Sequence, residues 1–493
     1  MKKIFQFFLA AVVFGLAAVS CDVERLPYNV IEQRDAFQSV KDATTMNNGL
    51  YVQLRNRVHG IYMFSTDIQA DLLNASLDFG NRNGFPHRWE GFMATDYTIR
   101  DVWAGYYSAL VNVNNIIENQ HLIKGQNAQE EALLQRYLGE AHLLRAYYYH
   151  RLASRWGKPY NPGSAETDLG VPLMLEFNIT LQPPRSTVAV TYRQILDDIA
   201  QAKTLLANTP GQQGASRITL DAVLALETRV HLYMQNWSAL IPVAQQLINS
   251  GKYPLVTTEA AMRGMWHNDS GAEMIFQMYA SRPSELGSSM VPLLGFRPAA
   301  NDYNPDFIPQ QWVVDLFAEN DIRRNVYLAE LPVHIQGVNY SGIYLINKFP
   351  GNPALWVGNT NYQHKPKIFR IAEVYLNLAE AQYHSSPGAA LATLNTLRVA
   401  RGLAPLTGLS GDALLNAIKE ERTRELLAEG WRLDDLMRWG QGVQRRPPQN
   451  PNPVNTGVLY TELSKPAGHY QFIWGIPDRD LTTNPNLVQN PGW

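Results

Sequence analysis

The sequence predicts an all-α protein of tetratricopeptide-like helix pairs with one large loop-rich, minor-β excursion. Apolar residues recur three and four positions apart along most of the chain, which is the spacing of amphipathic helices. Two segments alternate small and large residues as stacked helix pairs do. Between these pairs, residues 264–363 are dense in Gly, Pro and Asn, and such a stretch is far longer than an ordinary connection.

The periodicity places most helices in the first half of the chain. In the helix predicted over 102–119, Trp103, Tyr106, Leu110 and Val113 share one face. The helix predicted over 129–156 ends where Gly157 and Pro159 would break it. Further helices are predicted over 43–58, 191–207, 219–235 and 237–250.

The two predicted pairs lie on either side of the excursion. The first joins helices 219–235 and 237–250 through a turn at Gln235 and Asn236. The second joins helices 372–383 and 389–401 through a turn at 385–388. Ala side chains let two helices approach closely, and the larger residues fill the neighbouring gaps, so each pair can stack on another.

These features divide the chain into six regions. A signal peptide (1–20) precedes a lipidated tether (21–31) and an N-terminal helical repeat half (32–263). A loop-rich ligand-face excursion (264–363) separates this from a C-terminal helical repeat half (364–440). The last region (441–493) is loop-rich, with four prolines between 447 and 453 and one strand-like run over 470–476.

Cys21 is the only cysteine, and it follows a secretion signal. Lys2 and Lys3 precede an apolar run over 7–19, too short to span a bilayer but suited to a signal peptide. The small residues before Cys21 resemble a bacterial lipobox, although Ala18 stands where Leu is usual. We therefore predict that Cys21 is acylated, by palmitate among other chains, and tethers the protein to a membrane.

The composition of the chain limits the classes of binding partner that can be predicted for it. Lys and Arg number 42 and Asp and Glu 44, with no basic block, so nucleic acid is not predicted as a partner. Charged residues make up only 17%, whereas the chain holds 24 Tyr and 11 Trp. Aromatic side chains that are not buried in the core are candidates for a recognition surface.

No pattern of catalytic or metal-binding residues stands out. The sequence lacks the metalloprotease, nucleophile-elbow, phosphate-loop and dinucleotide motifs, and we predict neither an enzyme nor a metal or cofactor. Glu420, Glu421, Glu425 and Glu429 cluster on one predicted helix among basic residues, a pattern typical of surface ion pairs. His142, His150 and His231 lie within helices and are interpreted as packing or capping residues.

Several blocks resemble one known family and run in its order along the chain. The most distinctive begins Glu420-Glu421-Arg422, continues through Arg424-Glu425-Leu426 and Gly430, and ends at Arg438-Trp439. Others lie at 103–115, 139–149, 157–159, 170–173, 184–188, 250–255 and 476–492. The chain is similar to the SusD/RagB outer-membrane nutrient-binding lipoproteins of Bacteroidetes. Residues 304–316 and 275–281 look closer to the RagB branch than to the starch branch.

The resemblance implies a function as well as a fold. Such a protein would be anchored through Cys21 at the outer membrane and would face the cell exterior. It would capture an oligosaccharide or an oligopeptide, and act as a lid on a SusC-like TonB-dependent transporter. Two other functions stay open: a surface scaffold with no ligand of its own, and, less favoured, an unrecognised hydrolase.

The ligand would bind where loop rings lie beside polar side chains. Sugars and peptides both use ring stacking together with directed hydrogen bonds. Three loops, 74–92, 281–307 and 352–362, combine these residue types. The candidate ligand-binding residues are Asn74, Asp78, Trp89, Arg282, Phe296, Tyr303, Trp356 and Tyr362. Trp103, Trp156, Trp237, Trp431 and Trp439 are assigned to the scaffold instead.

Overall fold

The computed structural model describes residues 37–78, 84–286, 294–297, 300–356 and 363–493. The predictions for the signal peptide, the tether with Cys21, and Tyr362 lie outside these ranges. Within them, helices dominate and strands are short, so the predicted all-α class is confirmed. The α-helices are α1 (Val40–Arg55), α2 (Ile61–Gln69), α3 (Gly84–Arg88), α4 (Tyr97–Asn119), α5 (Ala128–Trp156), α6 (Val188–Leu205), α7 (Leu220–Tyr233), α8 (Trp237–Asn249), α9 (Glu259–His267), α10 (Gln311–Asp315), α11 (Arg324–Tyr327), α12 (Ile371–Tyr383), α13 (Pro387–Ala400), α14 (Gly411–Glu425), α15 (Arg432–Arg438) and α16 (Asp478–Thr483).

Capping residues fix where the first helices start. Ser39 accepts from the backbone N–H of Asp42, whose carboxylate accepts from Ser39, so α1 begins three residues before the predicted start. Asp96 likewise accepts from the N–H of Thr98, and α4 begins at Tyr97 rather than at 102. The helix cores nevertheless follow the predicted periodicity.

The two predicted helix pairs are present, and they stack on each other. α7 packs on α8, α12 packs on α13, and α12 also packs along α8. Trp237 at the first turn stacks on His384 at the second, with ring centroids 4.3 Å apart and planes 8° from parallel. Parallel rings at this spacing bring the two turns to the same end of the stack.

The long helix α5 lies at the centre of the main hydrophobic core. Its carboxyl half, 143–156, is buried on every side, and α4, α6, α7 and α12 all contribute apolar side chains to this core. Trp103 and Trp156 meet edge to face there, and Trp431 also belongs to the core. These three rings therefore belong to the scaffold, as predicted.

The excursion forms a second and a third core from short strands. In the second core, Phe64 and Ile68 of α2 pack with Trp266, Tyr327 and other residues of the excursion. The strands are β1 (Leu73–Ala75), β2 (Leu169–Pro172), β3 (Arg185–Thr187), β4 (Met274–Gln277), β5 (Phe296–Arg297), β6 (Asp302–Tyr303), β7 (Phe307–Pro309), β8 (Leu328–Glu330), β9 (Val333–Ile335), β10 (Val338–Tyr340), β11 (Tyr344–Ile346), β12 (Lys367–Arg370), β13 (Val443–Gln444) and β14 (Ser464–Lys465).

Strand pairing ties the excursion to the helical parts. The largest sheet has the order β10-β9-β6-β5, and the third core packs around Tyr303, Val333 and Ile335 within it. Antiparallel pairs join β1 to β7, with Asn74 opposite Ile308, and β4 to β12, with Lys367 opposite Gln277. The excursion is thus held near its start by the strand before α12 and near its middle by the strand after α2.

The prediction of surface ion pairs for the glutamate cluster is wrong. Glu421 and Glu425 are completely buried, and Glu425 contacts Arg323, Arg370 and Arg401. Only the pair between Glu420 and Arg424 has the predicted exposed carboxylate. Arg323 lies in the excursion, Arg370 ends strand β12 and Arg401 follows α13. The buried carboxylate of Glu425 is therefore compensated by arginines that local sequence spacing does not reveal.

The strand predicted over 470–476 is also wrong. Tyr470–Phe472 forms a 3-10 turn, and the residues after it run extended without a partner strand among the described residues. Trp474 donates its backbone N–H to Arg155 O and its indole N–H to Gln69, 2.7 and 2.9 Å away. The alternating apolar side chains are buried without a sheet, because Phe472 packs with Trp89 and Leu433 while Trp474 and Ile476 enter the main core.

Candidate ligand-binding face

The loop after β1 is fastened to the excursion by Asp78. One carboxylate oxygen of Asp78 accepts hydrogen bonds from Asn304 Nδ2 at 2.7 Å and from the backbone N–H of Gln336 at 3.0 Å. Gln336 in turn donates its side-chain amide to Leu77 O at 3.2 Å. The predicted loops 74–92 and 281–307 therefore meet here, together with the β9–β10 hairpin.

Phe296 lies beside this junction. Its half-buried ring is 5.2 Å from that of Tyr303, and the next residue, Arg297, pairs with Asp302 across the β5–β6 hairpin. Tyr303 itself is completely buried and donates its hydroxyl to Asn347 at 2.9 Å. Burial raises the pKa of Tyr303, so its hydroxyl stays protonated and serves as a donor. Tyr303 supports Phe296 from beneath.

Trp89 and Asn74 do not reach the surface, so the prediction that they contact ligand does not fit this conformation. Trp89 is 1% exposed, and the guanidinium of Arg445 covers its ring at 4.0 Å. Asn74 is also 1% exposed and lies within the β1–β7 pair. Both side chains act as packing residues, because the C-terminal segment and strand β7 close over them.

A second group of hydrogen-bonded residues, near the candidate Trp356 in sequence, surrounds Asp269. Its carboxylate accepts from Lys367 Nζ at 2.7 Å, from Asn352 Nδ2 at 2.9 Å and from the backbone N–H of Lys365 at 3.0 Å. Its backbone oxygen accepts from Gln277 Nε2 at 3.2 Å. We call these residues the Asp269 junction. It joins the strand that leads to residue 279 to the turn that leads to residue 356.

Two solvent-exposed aromatic residues follow members of the Asp269 junction in the sequence. Tyr279, two residues after Gln277, is 56% exposed, and Trp356, four residues after Asn352, is 37% exposed. Arg282 follows, with its side chain 76% exposed and 3.9 Å from Glu285. Arg55 donates to Tyr279 O at 2.9 Å and so fixes the backbone at this point. Residues 357–362, including the candidate Tyr362, lie outside the described ranges.

Helix α2 lies between the residues around Asp78 and the Asp269 junction. His59, just before α2, meets His364 beside the Asp269 junction, with ring centroids 4.4 Å apart, whereas β1 follows the other end of the helix. Nine residues of helix rise about 14 Å. Burial, with His364 and Lys367 nearby, holds the pKa of His59 well below its usual range, so this ring is neutral. Asp78 and the Asp269 junction therefore lie toward opposite ends of helix α2, and we refer to the exposed loops beside them together as the loop-rich face.

Sequence reasoning overlooked the residues that organise this face. Tyr279 is a lone ring after a buried strand, and Asp269 is a single polar residue with no motif around it. Asn304 lies in a block that resembles the family, but nothing in that block marks its side chain as a contact of Asp78. A positive φ of 54° at Asp269 comes from the folded turn and has no clear sequence signature. Only the combination of Gly, Asn and Asp over 264–272 indicates a tight turn there.

The described residues hold no group of three or more His, Cys, Asp or Glu side chains that could bind a metal ion. Along the same ranges, no helix combines the length and apolar character needed to cross a membrane. What the face offers is exposed rings, amides and a guanidinium, which can stack and hydrogen-bond.

Two family models match the chain. The first, described as the SusD family, matches residues 323–493, and the second, described as starch-binding associating with outer membrane, matches residues 29–232. The chain belongs to the SusD/RagB family. The resemblance of the sequence blocks to this family is thereby confirmed.

The chain is similar to known SusD-like proteins in both sequence and fold. A SusD-like protein of Formosa agariphila is 26% identical over 436 residues, which cover 79% of this chain and 78% of the relative. A crystal structure of a SusD superfamily protein from Bacteroides thetaiotaomicron has a TM-score of 0.78 at 24% identity, covering 92% of this chain and all of the other. A laminarin-binding SusD-like protein has a TM-score of 0.69 at 21% identity, covering 92% and 99% of the two chains.

Proposed function

We propose that the protein is a lipid-anchored receptor on the outer surface of the outer membrane that captures an oligosaccharide. The captured ligand is delivered to a SusC-like TonB-dependent transporter, on which the protein acts as a lid. Family membership supports the class of function, and the description of the second family model supports association with the outer membrane. The laminarin-binding relative favours carbohydrate over peptide as the ligand.

The exposure of Tyr279 and Trp356 carries the proposal. Large rings at the surface lose the stabilisation that burial would give, so their exposure here indicates a binding role. A ring offers a flat apolar surface to the CH face of a sugar, and neighbouring amides and the Arg282 guanidinium can bond its hydroxyl groups. The Asp269 junction holds the backbone of both rings, so the surface is organised before ligand arrives.

Paired substitutions test the ligand site. Calorimetry with pools of oligosaccharides and of oligopeptides should detect binding of a saccharide to the mature protein. In the double variant Tyr279→Ala, Trp356→Ala the affinity should fall at least about 30-fold, since two stacked rings contribute about 1 kcal/mol or more each. The control Trp237→Ala removes a half-buried ring on the helical side and should bind as the unaltered protein does. Binding of peptides alone would contradict a carbohydrate ligand.

The anchor and the transporter are tested separately. Extraction of cells in mild detergent at native expression should copurify a large β-barrel protein. Replacement of Cys21 by Ala should release the protein from the membrane fraction, because no acyl chain can then be attached. Recovery of the protein alone would count against the lid mechanism, and membrane retention of the Cys21→Ala variant would count against the anchor.

Closure of a lid fits a receptor better than it fits an enzyme. A binder that moves over a channel mouth encloses its ligand between two proteins and releases it inward. An N-terminal tether would allow such movement while the protein stays attached. The two alternatives, a scaffold without a ligand and an unrecognised hydrolase, predict respectively no binding in calorimetry and release of product from a polymer.

A further inference from the structure

A cleft of about 480 Å³ opens on the helical side of the protein, at the carboxyl end of α5. It lies between the loop after α5, the turn between α7 and α8, and helix α15. A pocket of about 270 Å³ adjoins it and shares Lys158, Asp168, Gly468 and Ile473 with it. Cavities of this size accommodate small organic ligands.

Aromatic side chains form one wall of the cleft. Tyr160, half-buried at the mouth, meets Tyr192 edge to face with ring centroids 5.2 Å apart. Behind them the ring of His150 lies 4.7 Å from that of Tyr233. Burial, with Arg229 and Arg151 nearby, holds the pKa of His150 well below its usual range, so the His150 ring behind this wall is neutral.

The hydroxyl of Tyr192 is the unusual group in this wall. Tyr192 is only 2% exposed and lines the cleft, its hydroxyl makes no hydrogen bond to any of the described residues, and that oxygen is not fully enclosed by protein. Its neighbour Tyr233 differs, since it donates to Asp434 at 2.8 Å. The Tyr192 hydroxyl is therefore open to the cleft and can donate to, or accept from, a molecule that occupies it.

The charges that line the cleft are already compensated. Lys158 pairs with Asp168 at 2.6 Å, Arg438 contacts Glu380 and Asp435, and Asp434 pairs with Arg155. No charge on the lining therefore awaits a counter-ion. A neutral ligand that both donates and accepts hydrogen bonds fits this lining better than an ion does.

Two glycines keep the mouth of the cleft open. Gly440 and Gly468 have φ angles of 63° and 74°, and a Cβ at either position would meet nothing within 4 Å. These positions favour glycine for their backbone conformation, and the absence of a side chain leaves the entrance wide.

The cleft is distinct from the loop-rich face. His59, which contacts His364 beside the Asp269 junction, lines a small cavity that Arg151 also lines. Arg151 lies 3.8 Å from Asp434, which is part of the floor of the cleft. The main core thus separates the two surfaces.

We propose that this cleft is a second binding site, for a neutral, hydroxyl-rich ligand such as a short oligosaccharide. Tyr192 would exchange a hydrogen bond with a ligand hydroxyl, and Tyr160 would pack against its apolar face. The site does not depend on ligand binding at Tyr279 and Trp356.

The test uses the full mature protein and three neutral probes: maltotriose, laminaritriose and cellotriose. Saturation-transfer NMR and calorimetry are performed on the double variant Tyr279→Ala, Trp356→Ala, in which the loop-rich face is disabled. At least one triose should still bind. Adding Tyr192→Phe should weaken this residual binding about 10-fold, and adding Tyr160→Ala should weaken it at least as much.

Controls separate the cleft from general effects. Tyr192→Phe removes one oxygen that makes no bond within the protein, so the melting temperature should not fall. Tyr383→Phe, at the end of α12 and outside the cleft, should leave the residual binding unchanged. The proposal is overturned if no triose binds the double variant, if Tyr192→Phe binds as its parent does, or if only a peptide such as trialanine binds. Loss of binding confined to the double variant would instead locate the sole site on the loop-rich face.

Discussion

Arg401 and Glu425 form a bidentate ion pair in the protein interior, with Nε–Oε2 and Nη2–Oε1 distances of 3.0 Å. Neither side chain is exposed to solvent. Arg401 also bridges to Glu273, next to strand β4, at 2.8 and 3.0 Å. Arg323 and Arg370 contact the same Glu425 carboxylate. Helix α14 is therefore joined through one side chain to the excursion and to the strand before α12.

Removal of the Glu425 charge should destabilise the fold strongly. Burial acts to raise the pKa of Glu425, but Arg401, Arg370 and Arg323 together hold it well below its usual range. Glu425→Gln would leave three buried guanidinium groups undercompensated and should lower the free energy of unfolding by about 3–5 kcal/mol. Urea unfolding measures the change.

The neighbouring Glu420 provides the control for this prediction. Its side chain is 55% exposed and contacts Arg424 alone among the described residues. Glu420→Gln should change the free energy of unfolding by less than about 1 kcal/mol, since exposed pairs contribute little. Equal effects of the two substitutions would mean that burial of the network does not matter.

These glutamates illustrate what sequence can and cannot predict here. The spacing of Glu420, Glu421 and Arg424 correctly indicates pairs along one helix, because that geometry is local. Burial of Glu421 and Glu425 depends on Arg323 and Arg401, which reach them from other elements. Helix α2 was missed for a related reason: Ser65, Thr66, Asp67 and Gln69 are buried with its apolar residues, so no amphipathic pattern appears.

The candidate ligand-binding residues also show what local sequence can and cannot predict. Loop composition selected Trp356 and Arg282, which are exposed, but it also selected Trp89 and Tyr303, which are buried. Arg445, which covers Trp89, lies in the C-terminal segment, and no local signal connects the two. Exposure of a loop ring is decided by what packs over it.

Gly430 is required where the turn before α15 meets α2. Its φ is 79°, a Cβ there would overlap the carbonyl oxygen of Met63, and its N–H donates to Asp67 at 2.8 Å. Gly430→Ala should lower the free energy of unfolding by about 3 kcal/mol, near the upper end for single substitutions. Gly251 has a φ of 64° and open space around it, so Gly251→Ala should lower the free energy of unfolding by only about 1 kcal/mol. A melting-temperature series on both variants distinguishes overlap from backbone conformation alone.

Buried histidines should make the protein sensitive to acid. Burial, with Arg263 nearby, lowers the pKa of His267 to about 4, against an ordinary value of 6.5. Between these two pH values the unfolded chain binds the proton and the folded protein does not, so stability falls as the pH decreases from 6.5 toward 4. His267 alone should account for a loss of about 2 kcal/mol at pH 5 relative to neutral pH.

The measurement is urea unfolding at pH 7 and pH 5. His267→Gln keeps a donor for the carbonyl oxygens of Val326 and Asn347 but cannot titrate, so its loss of stability at pH 5 should be smaller. His121→Gln removes an exposed ring and is the matched control. An identical pH dependence for His267→Gln and the unaltered protein would contradict the assignment.

Asp78 should control local opening of the loop-rich face rather than global stability. It accepts two hydrogen bonds, from Asn304 Nδ2 and from the N–H of Gln336, and it lies at the edge of the fold. Asp78→Ala removes both acceptors. Because a hydrogen bond to a charged group contributes about 1.5–3 kcal/mol, hydrogen exchange at the Gln336 amide should accelerate at least about 10-fold. The Trp474 amide, bonded to Arg155 O across the core, is the internal reference and should exchange as before. Unchanged exchange at Gln336 would show that the β9–β10 hairpin is held without Asp78, and equal acceleration at Trp474 would show that the substitution acts on the whole fold.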